Sequence, residues 1–278
     1  MKTINSLSGG KTSSYLAVHY PANHEIFSLI LIDDKKCSPK DKGLIKIVSD
    51  KIGKQFIATG EDDKTLLVML KLEQKIGREI IWVTGESFDE LIKRKKYLPN
   101  QMTRFCTTEL KMKPIFEWWK KNINEKVIMR IGYRYDEQER KDNFSTFFHA
   151  IIGKSKSGLR NKWAYVEWRE GEFNLIDDKI NHWHINKYWI EYNKYAAENN
   201  KIDFPPDNNC KWCFWKDVQQ LRKNWEDAPE KLAWAANLET PKMRWKKETT
   251  YDNIAKIGLQ SDFNFGTGSG CQSGYCTD

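Results

Sequence analysis

The chain has 278 residues, which is enough to bury a large core and favours one large domain with a smaller appendage. Hydrophobic residues make up 40% and charged residues 30%, and no apolar run approaches the roughly 20 residues that span a bilayer, which excludes a helical membrane protein. Lysine and arginine outnumber aspartate and glutamate by 46 to 38, which gives a net charge of +8 that suits an anionic partner. The basic residues lie in short scattered groups, however, and this distribution favours solvated surfaces over a nucleic-acid footprint.

The first 135 residues alternate between strand and helix patterns, which predicts a parallel sheet with crossover helices. Strands are predicted at residues 4–7, 26–32, 79–83 and 127–132, and helices at residues 12–19, 43–52, 64–72, 87–96 and 107–121. Residues 26–32 form an almost unbroken apolar run, which is typical of a strand buried on both faces. We therefore expect an α/β fold over residues 1–150, with a Rossmann-like parallel sheet and flanking helices.

After about residue 150 the alternation weakens. A hairpin is predicted from residues 163–168 and 173–176, joined by a turn at Glu170-Gly171-Glu172, and helices are predicted at residues 185–197 and 217–225. We expect residues 151–265 to form a smaller, mostly helical lobe that carries a Cys-x-x-Cys motif. Residues 266–278 are rich in glycine and serine, which predicts a flexible tail with two cysteines.

A glycine-rich segment separates the first predicted strand from the first predicted helix, and it comprises Ser8, Gly9, Gly10, Lys11, Thr12, Ser13 and Ser14. Glycine lets the backbone approach an anion, and the helix N-terminus adds unpaired N–H groups, the positive end of its dipole and nearby hydroxyl donors. This position therefore predicts a phosphate site, with a glycine turn that serves only tight packing as the alternative. A Walker A motif would need a further glycine where the chain has Asn5.

The segment resembles the PP-loop of the adenine nucleotide alpha-hydrolase superfamily, usually Ser-Gly-Gly-x-Asp-Ser, with Thr12 in the place of the aspartate. Residues 104–114 and 132–140 resemble the Arg-Phe/Trp-Cys-Thr-x-x-Leu-Lys-x-x-Pro and Gly-x-Arg-x-Asp-Glu-x-x-Arg signatures of phosphoadenosine phosphosulfate reductase-like proteins, many of them encoded by phages or mobile elements. With the Cys-x-x-Cys motif, these landmarks extend from residue 5 to about residue 235. The resemblance implies that the chain binds ATP or an adenylyl sulfate.

Several charged side chains are candidates for handling the nucleotide. Arg104 and Arg134 suit phosphate or sulfate binding because guanidinium offers a planar pair of donors, and Lys111 offers a compact charge that we assign a catalytic role. Each could equally be a surface charge. Asp136 follows a predicted strand end, where open α/β sheets place ligands, so we assign it to the nucleotide site. Asp136 and Glu137 would either hold Mg²⁺ or pair with neighbouring arginines.

The cysteines indicate metal or thiol chemistry. The N-terminus lacks the apolar segment of a secretory signal, so we expect a cytoplasmic protein, in which the six cysteines stay reduced. Cys210 and Cys213 have the spacing with which two thiolates chelate one metal or cluster. A redox pair and reduced structural thiols are the alternatives.

The family resemblance supplies Cys106 as a third ligand, because assimilatory sulfate reductases with a four-iron four-sulfur cluster carry a cysteine pair near this position and a distant Cys-x-x-Cys. Only one cysteine of that pair is present here. The fourth ligand would be Cys276, Cys271 or Cys37, and we favour Cys276. An iron–sulfur cluster is expected, with zinc as the alternative.

Three functions remain open. The favoured one is attack on the α-phosphorus of ATP with release of pyrophosphate, followed by sulfur transfer to a nucleic-acid or small acceptor with a sulfur or electron donor protein as partner. The second is sulfonucleotide reduction, with Cys271 or Cys276 on the tail as the nucleophile. The third is a non-catalytic nucleotide-sensing or nucleic-acid-binding module, which the replacement of the family aspartate by Thr12 favours.

Overall fold

The computed structural model describes residues 1–154, 160–207 and 209–259. Within these ranges the strands are β1 (Thr3–Leu7), β2 (His24–Ser28), β3 (Leu31–Ile32), β4 (Ala58–Thr59), β5 (Ile80–Val83), β6 (Val127–Arg130), β7 (Phe147–Lys154), β8 (Asn161–Glu167) and β9 (Arg169–Glu172). The helices are α1 (Lys11–His19), α2 (Lys42–Ile52), α3 (Asp63–Ile76), α4 (Phe88–Lys95), α5 (Phe105–Thr107), α6 (Lys113–Asn122), α7 (Glu139–Asp142), α8 (Asn174–Asp177), α9 (His182–Tyr195), α10 (Val218–Asp227), α11 (Pro229–Asn237) and α12 (Tyr251–Ala255).

A parallel sheet of five strands forms the centre of the fold, in the order β5–β2–β1–β6–β9. This confirms the predicted α/β class with a Rossmann-like parallel core. The chain first places β2 and β5 on one side of β1, and then crosses over to place β6 and β9 on the other side. Because the strand order reverses at β1, the carboxyl ends of β1 and β6 border the crevice in which open α/β sheets bind ligands.

Helices cover both faces of the sheet. Because neighbouring side chains of a strand point to opposite sides, each strand contributes to both buried faces. In β2, Ile26 packs with Phe116 and Trp119 of α6, whereas the adjacent Phe27 packs with Leu16 of α1 and Met69 of α3. Ile26 and Phe27 are both fully buried. A strand that is buried on both faces has a continuous apolar sequence, and this pattern is how β2 was predicted.

The apolar run at residues 26–32 was predicted as one strand, and this prediction was wrong. Strand β2 ends at Ser28, whose hydroxyl donates a hydrogen bond of 3.0 Å to the Leu110 carbonyl. The next two residues leave the sheet, and β3 pairs with β4 in an antiparallel ladder. Burial continues through Leu29 and Ile30, so hydrophobicity alone carries no mark of the break.

The predicted pairing of residues 163–168 with residues 173–176 was also wrong. Strand β8 pairs with β7, which precedes it, and the residues after Phe173 begin α8. The predicted turn around Gly171 is β9, which lies beside β6 in the central sheet. A Cβ on Gly171 would lie 2.7 Å from the ring of Phe173, so this glycine serves close packing rather than a turn.

Tryptophans from the C-terminal half pack directly on the N-terminal half. Trp212, Trp234 and Trp245 share one hydrophobic cluster with Phe88 of α4 and Ile30. The cluster therefore joins residues from both sides of the domain boundary predicted at residue 150. In the described part of the chain, no helix combines the length and apolar character needed to cross a membrane.

Candidate functional site

The loop between β1 and α1 turns at Gly9, which has a φ of +77°. A Cβ at this position would lie 2.2 Å from Cγ2 of Thr65, so glycine is required for the backbone conformation and for the close approach of α3. Gly10 caps α1 without a side-chain hydrogen bond. The first N–H groups of α1 have no partner within the helix, and they are therefore suited to an anionic ligand.

Replacing Gly9 with alanine should destabilise the fold and weaken binding of the nucleotide that the sequence resemblance implies. The left-handed conformation costs about 1 to 2 kcal/mol for a residue with a Cβ, and the contact with Thr65 adds to this cost. Gly53 is a matched control because it has a φ of +65° and nothing within 4 Å of its added Cβ. Urea unfolding of Gly9→Ala and Gly53→Ala, together with ATP calorimetry, checks this. The prediction would be contradicted if Gly9→Ala lost no more stability than Gly53→Ala and bound ATP with unchanged affinity.

A cavity of about 110 Å³ opens at the carboxyl ends of β1 and β6. The loop and helix start contribute Ser8, Gly10, Thr12 and Ser13, and the facing wall contributes Ile131 and Gly132. A Cβ on Gly132 would lie 3.2 Å from Cγ2 of Thr12, so the two walls meet closely at this point. The cavity therefore occupies the crevice that the reversal of strand order creates.

The cavity wall is strongly cationic. Its charged residues within the described ranges are Lys111, Arg134, Glu137, Arg140 and Arg169, which is four cations against one carboxylate. In a partly enclosed site this excess favours an anionic ligand, because low-dielectric walls concentrate the field. The wall also has an apolar part, formed by Met112, Ile115 and Trp168, against which a flat ring could pack.

Glu137 fixes the orientation of two of these arginines. Its Oε1 lies 3.2 Å from Nη2 of Arg134 and 2.9 Å from Nη1 of Arg140, and Glu137 itself is buried. Arg134 also bonds to Asp136 at 3.2 Å and donates to the Thr12 hydroxyl at 3.4 Å. Asp136 and Glu137 are thus both paired with arginine, which is the arrangement that the sequence offered as the alternative to Mg²⁺ binding.

The predicted nucleotide-binding residues fall into two groups. Those that line the cavity are Ser8, Gly10, Thr12, Ser13 and Arg134, together with the predicted catalytic Lys111. The others lie elsewhere. The Lys11 ammonium donates to Asn186 at 2.9 Å, Ser14 is fully buried, and Asp136 is bonded to Arg134 and to the backbone N–H of His182.

The lining residues that were missed from the sequence include Trp168, Arg169 and Asn209. Trp168 connects β8 with β9, which begins at Arg169, and the wrong hairpin prediction concealed that both residues line the cavity. Asn209 has a φ of +73°, a conformation that asparagine tolerates better than most residues. Its position directly before the Cys-x-x-Cys motif was the available signal.

A second cavity of about 40 Å³ adjoins the first, and Cys106, Cys210 and Cys213 all line it. This second space has less than half the volume of the first. The Cys210 loop is anchored on the N-terminal half, since the Lys211 N–H donates to the Gly60 carbonyl at 2.8 Å. The structure therefore brings together the three cysteines predicted as ligands.

The two cavities share part of their walls, and the shared residues are Thr107, Lys111 and Asn209. Lys111 lies in a π-helical turn, Thr108–Met112, which is a conformation often found at functional sites. Its ammonium is 3.4 Å from Oε1 of Glu61, a carboxylate with only 2% exposure that the sequence did not single out. Burial raises the pKa of Glu61, and Lys111 opposes that rise. Arg104 lines only the cysteine cavity.

Burial favours the protonated form of two of the thiols in the second cavity, Cys106 and Cys210. Burial raises the pKa of Cys106 to about 11, with a further contribution from Cys213, while Arg104 and Lys111 oppose it. Burial also raises the pKa of Cys210 well above its usual range. Metal binding would therefore release protons from both thiols at neutral pH.

The cysteine cavity has the right donors for a metal, but its donor set is incomplete in the described residues. Three thiols are the soft donors that zinc and iron–sulfur clusters select. Across residues 1–154, 160–207 and 209–259, no three His, Cys, Asp or Glu side chains are grouped so that they could hold a metal ion as they stand. The predicted fourth ligand and tail nucleophiles, Cys271 and Cys276, lie outside the described residues.

Cys37 lies apart from this cavity, with its thiol donating to the Glu230 carbonyl at 3.5 Å. Burial, followed by the nearby Asp34, raises its pKa to about 12 from an ordinary value of 9.0. A group whose pKa is raised by folding stabilises the fold below its unfolded pKa, and this contribution is lost as the pH rises towards the folded value. The wild-type chain should therefore lose more unfolding free energy between pH 9 and pH 11 than Cys37→Ala. Urea titrations at several pH values measure this, and parallel pH profiles would show the prediction to be wrong.

No protein-family model, curated protein or solved structure matches this chain. Its candidate functional sites are the two adjoining cavities, one cationic at the start of α1 and one lined by three thiols.

Proposed function

We propose that the chain binds an adenine nucleotide with its phosphates at the N-terminus of α1 and uses that nucleotide in sulfur chemistry. The motifs that resemble phosphoadenosine phosphosulfate reductase-like PP-loop proteins suggest this activity. The observation that carries the proposal is the position of the cationic cavity, at the reversal of strand order and next to three thiols. A packing role for the glycine loop alone would not account for the four cations around it.

The favoured substrate is ATP. An acceptor oxygen attacks the α-phosphorus, the bond to the bridging oxygen breaks, and pyrophosphate leaves with the electron pair. A sulfur nucleophile then displaces AMP from the activated acceptor. Arg134, Arg140 and Lys111 would neutralise the charge that develops on the phosphates, and the N–H groups of α1 would hold the oxygen atoms in place. Magnesium would enter with the triphosphate.

Sulfonucleotide reduction is the second candidate, and the shared wall of the two cavities favours it. A thiolate attacks the sulfur of an adenylyl sulfate, the sulfur–oxygen bond breaks, and AMP or adenosine bisphosphate leaves. A second thiol then releases sulfite as a disulfide forms. Cys271 or Cys276 would act as nucleophile, and Lys111, which lines both cavities, would stabilise the anionic groups.

The cysteine cavity would hold the cofactor in either reaction. Cys106, Cys210 and Cys213 would be ligands, with Cys276 as the expected fourth unless it is the nucleophile of the reduction. A four-iron four-sulfur cluster would supply electrons or bind the transferred sulfur, whereas zinc would fix the thiolates in place. Analysis of an anaerobic preparation for iron, sulfide and zinc distinguishes these cases. A Cys210→Ser/Cys213→Ser variant should lose the metal, and unchanged metal content would contradict the assignment.

The reaction is tested by incubating the protein separately with labelled ATP and with adenylyl sulfates. Pyrophosphate from ATP supports the favoured activity, and sulfite from adenylyl sulfate supports reduction. ATP binding without turnover supports the non-catalytic alternative, in which the Thr12 hydroxyl, bonded to Arg134, replaces the family aspartate. Absence of binding to either nucleotide at millimolar concentration would contradict all three.

A further inference from the structure

The hairpin of β7 and β8 has one face that packs on the protein and one that faces solvent. Phe148 and Ala150 of β7 are buried, and Val166 of β8 packs against the same cluster as Phe148. Cross-strand pairs share a face, so the partners of the alternate residues form the outer surface. This outer face carries side chains that are usually buried.

The outer face is a ladder of rings. Trp163 is 53% exposed and Tyr165 is 74% exposed. The ring of His149 lies between them, with centroid distances of 5.0 Å to Trp163 and 4.8 Å to Tyr165. Phe147 and Ile151 extend the same face and are also exposed. Large aromatic side chains left in water in one row indicate a surface that binds a partner.

The charge on the hairpin selects the chemistry of that partner. Lys154 pairs with Asn161, two residues before Trp163, which places this lysine on the ring face, whereas Lys162, the neighbour of Trp163, points to the opposite face. The carboxylate of Glu167 is 2.8 Å from the ammonium of Lys126. Rings beside an exposed ammonium group suit a chain that alternates flat bases with phosphates, whereas a purely apolar protein partner would gain nothing from the lysine.

One end of the ladder lies close in the chain to the cationic cavity. β8 is followed directly by Trp168 and Arg169, both of which are buried and line that cavity. Tyr165 precedes Trp168 by three residues, about 10 Å of extended chain. A base stacked on Tyr165 would therefore lie roughly 10 Å from a residue of the cavity wall.

We propose that the outer face of the β7–β8 hairpin is a docking platform for single-stranded nucleic acid, whose bases stack on Trp163, His149 and Tyr165 while Lys154 contacts its phosphates. Unpaired bases are required because only they expose their faces to the rings. That the bound strand is the sulfur acceptor rests on the proposed function, whereas its binding to the hairpin does not.

The test is fluorescence anisotropy with labelled single strands of DNA and of RNA, and with a duplex of the same sequence. The full chain should bind single strands more tightly than the duplex. Trp163→Ala/Tyr165→Ala should weaken single-strand binding at least about tenfold, since each stacked base contributes substantially. Trp183→Ala is the matched control, because Trp183 is 61% exposed on α9, and its affinity should remain within about twofold of wild type.

A second variant tests the charge independently of the rings. Lys154→Gln should reduce the slope of log affinity against log salt by about 0.7, which is the contribution of one phosphate contact to a single strand. Lys154 is exposed, so the fold should be retained even if the ring variant unfolds. ATP binding is measured in parallel, and its retention in both variants separates this surface from the nucleotide site.

Three results would overturn the proposal. The first is no binding of single strands by the full chain, or equal binding of the duplex. The second is a ring variant that folds and binds strands like wild type, or an unchanged salt slope in the lysine variant. The third is that the ring substitutions dissociate a dimer or a protein complex while strand binding stays the same, which would assign the face to a protein partner.

Discussion

Arg134→Met should weaken ATP binding by about 2 to 3 kcal/mol, or about 30- to 150-fold in Kd, with little loss of stability. Arg134 lines the cationic cavity and is only 8% exposed, so its guanidinium would bond to phosphate in a site largely shielded from water. Methionine keeps the length and apolar volume of the side chain but removes the donors. Calorimetric titration with ATP measures the loss.

The fold should survive this change because Glu137 keeps a second partner. Its Oε1 remains 2.9 Å from Arg140, so removal of Arg134 does not leave a buried carboxylate unpaired. Arg130→Met is the matched control, since Arg130 lies at the end of β6, pairs with Glu172 and does not line the cavity. Equal ATP affinity in Arg134→Met and wild type would show that Arg134 has only a structural role.

Trp212→Ala should destabilise the protein by about 3 to 5 kcal/mol, the range for removing a large aromatic side chain from a packed core. Trp212 is 1% exposed, and its ring lies 4.4 Å from that of Trp234 and 5.6 Å from that of Phe88. A Cβ on Gly60 would lie 2.6 Å from this ring, so the indole packs directly on the backbone of the N-terminal half. Urea unfolding measures the loss.

The same substitution should loosen the cysteine cavity, because Trp212 lies between Cys210 and Cys213. Alkylation of Cys210 by iodoacetamide should be faster in Trp212→Ala than in wild type, while Trp183→Ala should change neither stability nor alkylation appreciably. If Trp212→Ala unfolds like wild type, the indole does not hold the two halves together. If stability falls but Cys210 stays protected, the cavity is held by other contacts.

Local chemistry explains what the sequence could predict. The β1–α1 loop needed a glycine for its φ and close approach, and β2 is an apolar strand buried on both faces, so both left a direct signal at Gly9 and at residues 26–28. A helix was likewise predicted from residue 87, and the structure shows a full capping box between Ser87 and Glu90 at the start of α4. Each of these features depends on residues close together in the chain.

Features that depend on distant residues gave no such signal. The spacing of Cys210 and Cys213 predicts a half-site, but only the fold shows that Cys106 lines the same cavity. Gly171 was assigned to a turn between two predicted strands, whereas its contact with Phe173 could not be inferred from composition. The same wrong prediction concealed the role of Trp168. This residue lies in the cavity wall because β9, which follows it directly, pairs with β6.

The most direct test of the account is a crystal structure of the full chain with an ATP analogue whose α- and β-phosphorus atoms are joined by a methylene group. The account predicts phosphate oxygens bonded to backbone N–H groups at the start of α1 and to Arg134, with the adenine against the apolar part of the cavity wall. An analogue bound elsewhere, or a crystal in which saturating analogue leaves this cavity to solvent, would contradict it.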